Sequence, residues 1–269
     1  MAGSVITQEE IARALGSLEI EPSRPVIAHA SLSAFGYVQG GAQAVLQALL
    51  QTFDSLVMPT FTYKTMLIPE TGPSENGITY GSWADANRMA LFYHPDMPAD
   101  RLMGCIPEAL RLLPQAQRSM HPIQSFSGVN ATDILESQSL AAPLAPIGKL
   151  LEMEGWVLLL GVDQCVNTSI HYAENLAGRK QFIRWALTPE GAVECPGFPG
   201  CSDGFEGVTP YMEGALRRAQ AGQAHIQAMS LADLVAAVTG LITVEPLALL
   251  CDRSYCERCE AVRQHAASH

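Results

Sequence analysis

Short apolar runs alternate with stretches of helical periodicity along most of this chain. Pro25-Val26-Ile27-Ala28-His29-Ala30 and Ser55–Thr60 are brief and apolar. Trp156-Val157-Leu158-Leu159-Leu160-Gly161-Val162 is the most apolar segment of all. Runs this short, bounded by turn residues, read as buried strands. Between the first two, Val45, Leu46, Leu49 and Leu50 recur at helical spacing, so Ala42–Thr52 is an expected helix opened by Gly40-Gly41. Thr7 followed by Glu10 is a capping-box start for a first helix closed by Gly16. Further helices are expected from Pro107 to Leu113, near Asn130–Ser137, over Pro146–Glu154, from Thr209-Pro210 to about Ala221, and from Ser230 and Asp233 to Gly240. Ser125–Val129 reads as a brief strand. Phe182–Leu187 reads as an edge or antiparallel strand, followed by a Gly/Pro/Cys loop. Residues 64 to 100 show little periodicity and read as an irregular substrate-side insertion, since long structureless stretches in compact domains are often functional. No repeat or linker interrupts the pattern. The expectation is one α/β domain over residues 1–269, with a central mixed sheet flanked by helices.

The charge balance changes what such a domain would bind. The chain of 269 residues carries 16 Lys and Arg against 27 Asp and Glu, a net charge of −11. That disfavours nucleic acid, which is held through clustered cations, and suits a polycationic small molecule. No apolar run approaches the roughly 20 residues of a membrane span, and Met1–Glu10 lacks the basic and apolar regions of a signal peptide. The expected address is the cytoplasm, without membrane or nucleic-acid partners. The seven cysteines are then expected to be reduced. Cys256-Glu257-Arg258-Cys259 gives one C-x-x-C. With Cys201 and Cys251 it has the residue types of a structural zinc site, but the second pair lacks knuckle spacing. Ordinary packing thiols are the simpler reading, so no metal ligand is assigned.

Candidate chemistry concentrates where strands end, the usual ligand position in α/β sheets. After the apolar run comes Asn167-Thr168-Ser169-Ile170-His171-Tyr172-Ala173-Glu174, a capped helix start. His171 and Glu174 are three residues apart and share a helix face, as a general base and its orienting carboxylate would. Ser31-Leu32-Ser33-Ala34-Phe35-Gly36 follows the first strand and precedes a helix, a place where backbone N–H groups can face an anion. It is neither a G-x-G-x-x-G nor a P-loop. Arg118-Ser119, with His121, could hold phosphate. Cys165 lies six residues before His171 and admits a different class, a Cys165–His171–Glu174 thioester or amide hydrolase.

Together these segments resemble the aminoglycoside 3-N-acetyltransferase family. The resemblance runs through His29-Ala30-Ser31-Leu32-Ser33-Ala34-Phe35-Gly36 with Gly40-Gly41-Ala42, and Val57-Met58-Pro59-Thr60-Phe61-Thr62. It continues through Arg118-Ser119-Met120-His121-Pro122 with Ser125-Phe126, Pro146-Ile147-Gly148, Leu159-Leu160-Gly161-Val162, and the segment from Asn167 to Glu174. It implies the antibiotic N-acetyltransferase-type fold, acetyl-CoA as co-substrate, and an aminoglycoside or similar polycationic amine as acceptor at its 3-amino group. It further implies that His29, Ser31, Leu32, Ser33, Phe35 and Gly36, with Arg118, Ser119 and Ser125, hold coenzyme A, and that His171 and Glu174 are catalytic. In that mechanism Glu174, Glu206 or Glu213 would hold the imidazole, Thr60 or a nearby backbone N–H would stabilise the thioester oxyanion, and Tyr63, Asn167, Glu206 and Glu213 would meet the acceptor. The C-terminal third matches the family least, and nothing in the sequence sets an oligomeric state.

Overall fold

The computed structural model describes residues 5–81 and 84–268; residues 82 and 83, inside the expected insertion, lie outside the described residues. Three apolar runs form the middle of a seven-stranded mixed sheet. β1 (Val26–Ala30) lies between β2 (Leu56–Pro59) and, across the sheet, β6 (Trp156–Leu160), and pairs with both in parallel. The insertion contributes β3 (Met66–Leu67) to a separate sheet, described below. Antiparallel strands close both sides of the large sheet. β4 (Gln117–Arg118) and β5 (Phe126–Val129) lie beyond β2, and β9 (Arg217–Ala221) and β10 (Ala224–Ser230) beyond β6.

The two-residue period of the strands sorts their side chains into two cores. Val26, Ala28, Leu158, Leu160, Ile226 and Ala228 face one side. There they meet α1 (Gln8–Gly16), α2 (Gly41–Thr52) and α4 (Cys105–Arg111), α3 (Ala84–Arg88) lying apart in the insertion. Ile27, Val57, Val157, Leu159 and Met229 face the other. That side is covered by α5 (Thr132–Glu136), α6 (Ala145–Glu152), α7 (Thr168–Leu176), the short α8 (Thr209–Met212) and α9 (Leu231–Val244). The parallel strands are buried on both faces, which is why they read as continuous apolar runs. Both expected caps form. Glu10 N–H donates to Thr7 Oγ1 at 3.3 Å while Thr7 N–H donates to Glu10 Oε2 at 2.8 Å, and Asp233 N–H donates to Ser230 Oγ at 3.0 Å.

Phe182–Leu187 is antiparallel, one of the two alternatives expected, and lies within β7 (Phe182–Thr188), the middle strand of the small sheet β3-β7-β8. Three expectations need correction. The expected Gly/Pro/Cys loop begins as the edge strand β8 (Gly191–Phe198). Its Pro196 removes a ladder donor, which an edge tolerates. The helix expected from Thr209 to about Ala221 stops at Met212, and Arg217–Ser230 instead forms the β9–β10 hairpin around Gly222. The helix beginning at Leu231 continues through Gly240 to Val244, and a final α10 (Glu257–Ala267) follows. Among the described residues no helix is long and apolar enough to cross a membrane.

Candidate active site

α7 begins just past the end of β6. Asn167 caps it, accepting from Ser169 N–H at 3.1 Å and donating its amide to Gln164 Oε1 at 2.9 Å. The cap sets the rotation of the first turn, so His171 and Glu174 meet as neighbours one turn apart. His171 Nδ1 lies 2.8 Å from Glu174 Oε2. A carboxylate accepts only, so Nδ1 carries the proton and Nε2 presents its lone pair. The Phe205 ring packs against the imidazole edge-on, centroids 4.6 Å apart.

Glu174 is 2% exposed and would be costly to bury alone. Its other oxygen, Oε1, accepts from Arg179 Nη1 at 2.7 Å, and Arg179 is itself buried. Arg179 Nη2 donates to the carbonyls of Pro246 and Ala248, both at 2.8 Å. The imidazole is therefore the outer end of a chain of contacts anchored in the segment after α9. Sequence reasoning missed Arg179. Its signal was Gly178, which takes φ +78° after the helix and turns the chain so that Arg179 N–H returns to the Glu174 carbonyl at 2.9 Å.

A cleft of about 690 Å³ opens beyond the C-terminal ends of β1 and β6, a volume typical of small-molecule sites. His29, Ser31, Leu32, Ser33 and Gly36, five of the residues named for coenzyme A, line it, with Gly41 at the start of α2 and the apolar side chains of Tyr37, Leu102, Met103, Val162 and Val166. Met103 and Val162 also pack on the core that holds Ile170 and Phe205. α7, which carries His171, begins at Thr168, two residues after the cleft-lining Val166. Burial pushes the His29 imidazole down to about 3, so it is neutral, and its Nε2 has no protein partner.

The floor of this loop depends on Gly161, whose φ is +68° and whose missing Cβ would fall 2.3 Å from Ala34 Cβ. Gly161→Ala is expected to destabilise the chain by about 1–3 kcal/mol through strain and overpacking. It should also raise the KM for the cofactor, readable from a thermal melt and a saturation curve.

Other expected site residues are placed differently. Phe35 is in the core rather than the cleft. Arg118 lies outside the lining of this cleft, and four of its five N–H donors are taken by the protein: Nε by Ser125 Oγ at 3.0 Å, Nη1 by the carbonyls of Pro95 and Met97, and one of the two on Nη2 by the Thr60 carbonyl at 2.6 Å. Ser125 is fully buried and donates to the Thr60 carbonyl at 2.9 Å. Ser119 Oγ accepts from Phe126 N–H at 2.8 Å. Arg118 and Ser125 tie the 95–97 segment to Thr60 at the end of β2, and Ser119 ties the end of β4 to β5; Arg118 and Ser119 border a separate hollow with Met120 and Thr132 rather than the strand-end cleft. Arg118→Ala is accordingly expected to cost about 2 kcal/mol of stability while leaving cofactor affinity within about threefold. A tenfold loss of affinity without a change in melting would restore the phosphate role.

Thr60 is also fully buried, its hydroxyl 3.2 Å from the Ser125 carbonyl and 3.1 Å from Ser127 Oγ, so it is not free to serve an oxyanion. Tyr63 packs between two cores, and burial pushes its phenol up to about 12. Neither alternative carboxylate holds His171. Glu206 accepts from Gln164 N–H at 3.0 Å and from Thr209 Oγ1 at 2.8 Å, and Glu213 pairs with Arg218 at 2.6 Å on the surface. Cys165 donates its thiol to the Asp203 carbonyl at 3.7 Å. Burial raises its pKa, opposite to what activates a nucleophilic thiol.

A strand-end cleft beside a carboxylate-held histidine is common to several enzyme classes, and comparison with known proteins decides among them. The aminoglycoside 3-N-acetyltransferase family model matches residues 27–243. The chain belongs to that family. Aminoglycoside N(3)-acetyltransferase IX of Micromonospora chalcea is 32% identical over 197 residues, covering 68% of each chain. The YokD protein of Bacillus subtilis, an SPbeta prophage-derived aminoglycoside N(3')-acetyltransferase-like protein, is 35% identical over 178 residues. That match spans 62% of this chain and 64% of YokD's own length. The apoenzyme structure of aminoglycoside acetyltransferase AAC(3)-IVa superimposes with a TM-score of 0.80 at 23% identity, covering 98% of this chain and 99% of that one. This last match extends over the C-terminal third, beyond residue 243 where the family model ends.

Proposed function

We propose that this chain transfers the acetyl group of acetyl-CoA to the 3-amino group of an aminoglycoside. The observation that carries the reading is the His171–Glu174–Arg179 chain beside the strand-end cleft, in a member of this family. A protonated amine has no lone pair with which to attack. The ammonium first gives up one proton to solvent; His171 Nε2 then takes a proton from the amine nitrogen as its lone pair attacks the thioester carbonyl, the C–S bond breaks, and the imidazolium returns that proton to the leaving coenzyme A thiolate. Glu174 holds the ring and balances the imidazolium charge. Arg179 is a positioning residue, acting through Glu174.

Acetyl-CoA fits the cleft by chemistry. Apolar walls at Leu32, Tyr37, Leu102, Met103 and Val162 suit an alkyl arm, and the first amides of α2 near Gly41 suit an anionic group. The net charge of −11 favours a cationic acceptor, so added salt raises the acceptor KM more than the cofactor KM. The test is release of coenzyme A thiol from acetyl-CoA across a panel of aminoglycosides and simpler amines, with the acetylated position located by mass analysis and NMR. Thiol release in step with 3-N-acetylated product is the expected result. No release with any amine, or acetylation at another nitrogen, overturns the assignment.

A further inference from the structure

Four cysteines far apart in sequence converge at the C-terminal side of the molecule. Cys201 follows β8, Cys251 lies in the segment after α9, and Cys256 and Cys259 begin α10. Their four sulfur atoms all lie within 4.8 Å of one another, and Cys201, Cys251 and Cys259 are buried. No pair is joined as a disulfide. We propose that Cys201, Cys251, Cys256 and Cys259 form a tetrathiolate site for one structural zinc ion, which fastens the C-terminal segment to the loop beside His171.

Tetrahedral zinc with bonds of about 2.3 Å places its sulfurs about 3.8 Å apart, a spacing the present cluster meets with small side-chain adjustments. Thiolates of an iron–sulfur cluster sit on different irons and are spread wider, so this compact set fits a single ion. Three arginines and a helix N-terminus face the dianionic centre that four thiolates and Zn²⁺ make, against one carboxylate, Asp203. Asp203 accepts from the Cys201 thiol at 3.1 Å, is itself paired with Arg253, and must give up the thiol contact when Cys201 ionises. Cys256 is the N-cap of α10 and makes no side-chain cap bond, so the sulfurs gather at the positive end of an 11-residue helix. Arg253 Nη2 lies 3.8 Å from Cys201 Sγ, and Arg258 Nη1 and Arg263 Nη2 donate to the carbonyls of Gly200 and Cys251 at 2.9 and 2.7 Å. Such outer contacts orient metal ligands. Binding one Zn²⁺ releases one proton from each thiol to solvent, and the ion changes no oxidation state.

The position gives the ion a role. Cys201 is four residues before Phe205, whose ring packs on His171, and Cys251 is three residues after Ala248, whose carbonyl receives Arg179. The two segments touch at Gly204, where a Cβ would lie 2.6 Å from the carbonyls of Leu249 and Leu250. The packing cluster around the four sulfurs contains no large side chain apart from the partly buried Leu250, so the ion supplies a cross-link that apolar packing does not. The bracing role rests on the proposed catalytic function; the metal site does not.

The test is metal analysis of the full chain purified under reducing conditions without chelator, with cobalt replacement in parallel. About one zinc per chain is expected, and the cobalt form should show the visible bands and thiolate charge transfer of a tetrahedral sulfur site. The double variant Cys256→Ser/Cys259→Ser should retain less than about a tenth of the wild-type zinc. Zinc below a tenth of an equivalent, with no uptake from added zinc or cobalt, overturns the proposal. So does iron in its place, or loss of these thiols to disulfides. Removing zinc should also make residues 245–268 sensitive to protease, a readout independent of turnover.

Discussion

His171→Ala is expected to lower kcat for acetyl transfer by about 10²–10⁴-fold, the usual contribution of a positioned base, with little change in the dissociation constant of coenzyme A. The imidazole lies outside the lining of the cleft, and its Nδ1 is committed to Glu174. Removing it leaves the Ser31–Gly36 loop, the proposed seat of coenzyme A, unchanged. The loss should appear in kcat and kcat/KM together, because the interaction is made as the proton moves. His171→Gln keeps a polar group of similar size but supplies no base, so its turnover should fall as far. Steady-state thiol release and calorimetric titration with coenzyme A separate the two effects. Retention of most of the activity would place the base elsewhere.

Glu174→Ala is expected to have the second large effect, and its signature differs. The carboxylate is shared between His171 and Arg179, and both partners are largely buried. Removing it strands the guanidinium without its counter-charge, which typically costs about 3–5 kcal/mol. The melting temperature should therefore fall steeply, together with turnover. Glu174→Gln keeps the shape and can still accept from one partner, so it should recover part of the stability while kcat stays low, the imidazolium having lost its balancing charge. Arg179→Lys tests the outer link. One ammonium cannot reproduce the guanidinium's contacts to Glu174, Pro246 and Ala248, so stability falls and kcat follows in proportion to the loss of His171 positioning. If Glu174→Ala folds and melts like the wild type, the buried network carries neither stability nor orientation.

Where local periodicity and capping determine structure, the sequence was a good guide. The β1 turn into α2 and the β6 turn into α7 formed as expected because each joins a short apolar run to a helix-periodic segment, opened by Gly40-Gly41 in the first and capped by Asn167 in the second. The His171–Glu174 contact was legible for the same reason, both residues lying on one helix beyond one strand. The misreadings share a cause. Arg217–Ser230 carries a two-residue alternation of moderate polarity, and the Pro at the start of α8 outweighed it. β8 was hidden by Pro196 and Gly197, which an edge strand accepts. Arg118 offered a positive charge next to a candidate loop, but only the folded chain shows that carbonyls from Thr60, Pro95 and Met97 surround it. Ser125 and Thr60 belong to that same set of contacts, and Ser119 is spent on Phe126 of β5. Arg179 and the four-cysteine cluster depend on contacts made across long stretches of chain, which no local pattern encodes.

The most direct measurement is a ternary crystal structure with coenzyme A and an aminoglycoside bound. The predicted result is coenzyme A in the cleft at Ser31–Gly36, with the acceptor's 3-amino nitrogen within about 3.2 Å of His171 Nε2 and facing the sulfur end of the cofactor. An acceptor amine out of reach of His171, or a His171 Nε2 turned into the protein and bonded there, would contradict the account.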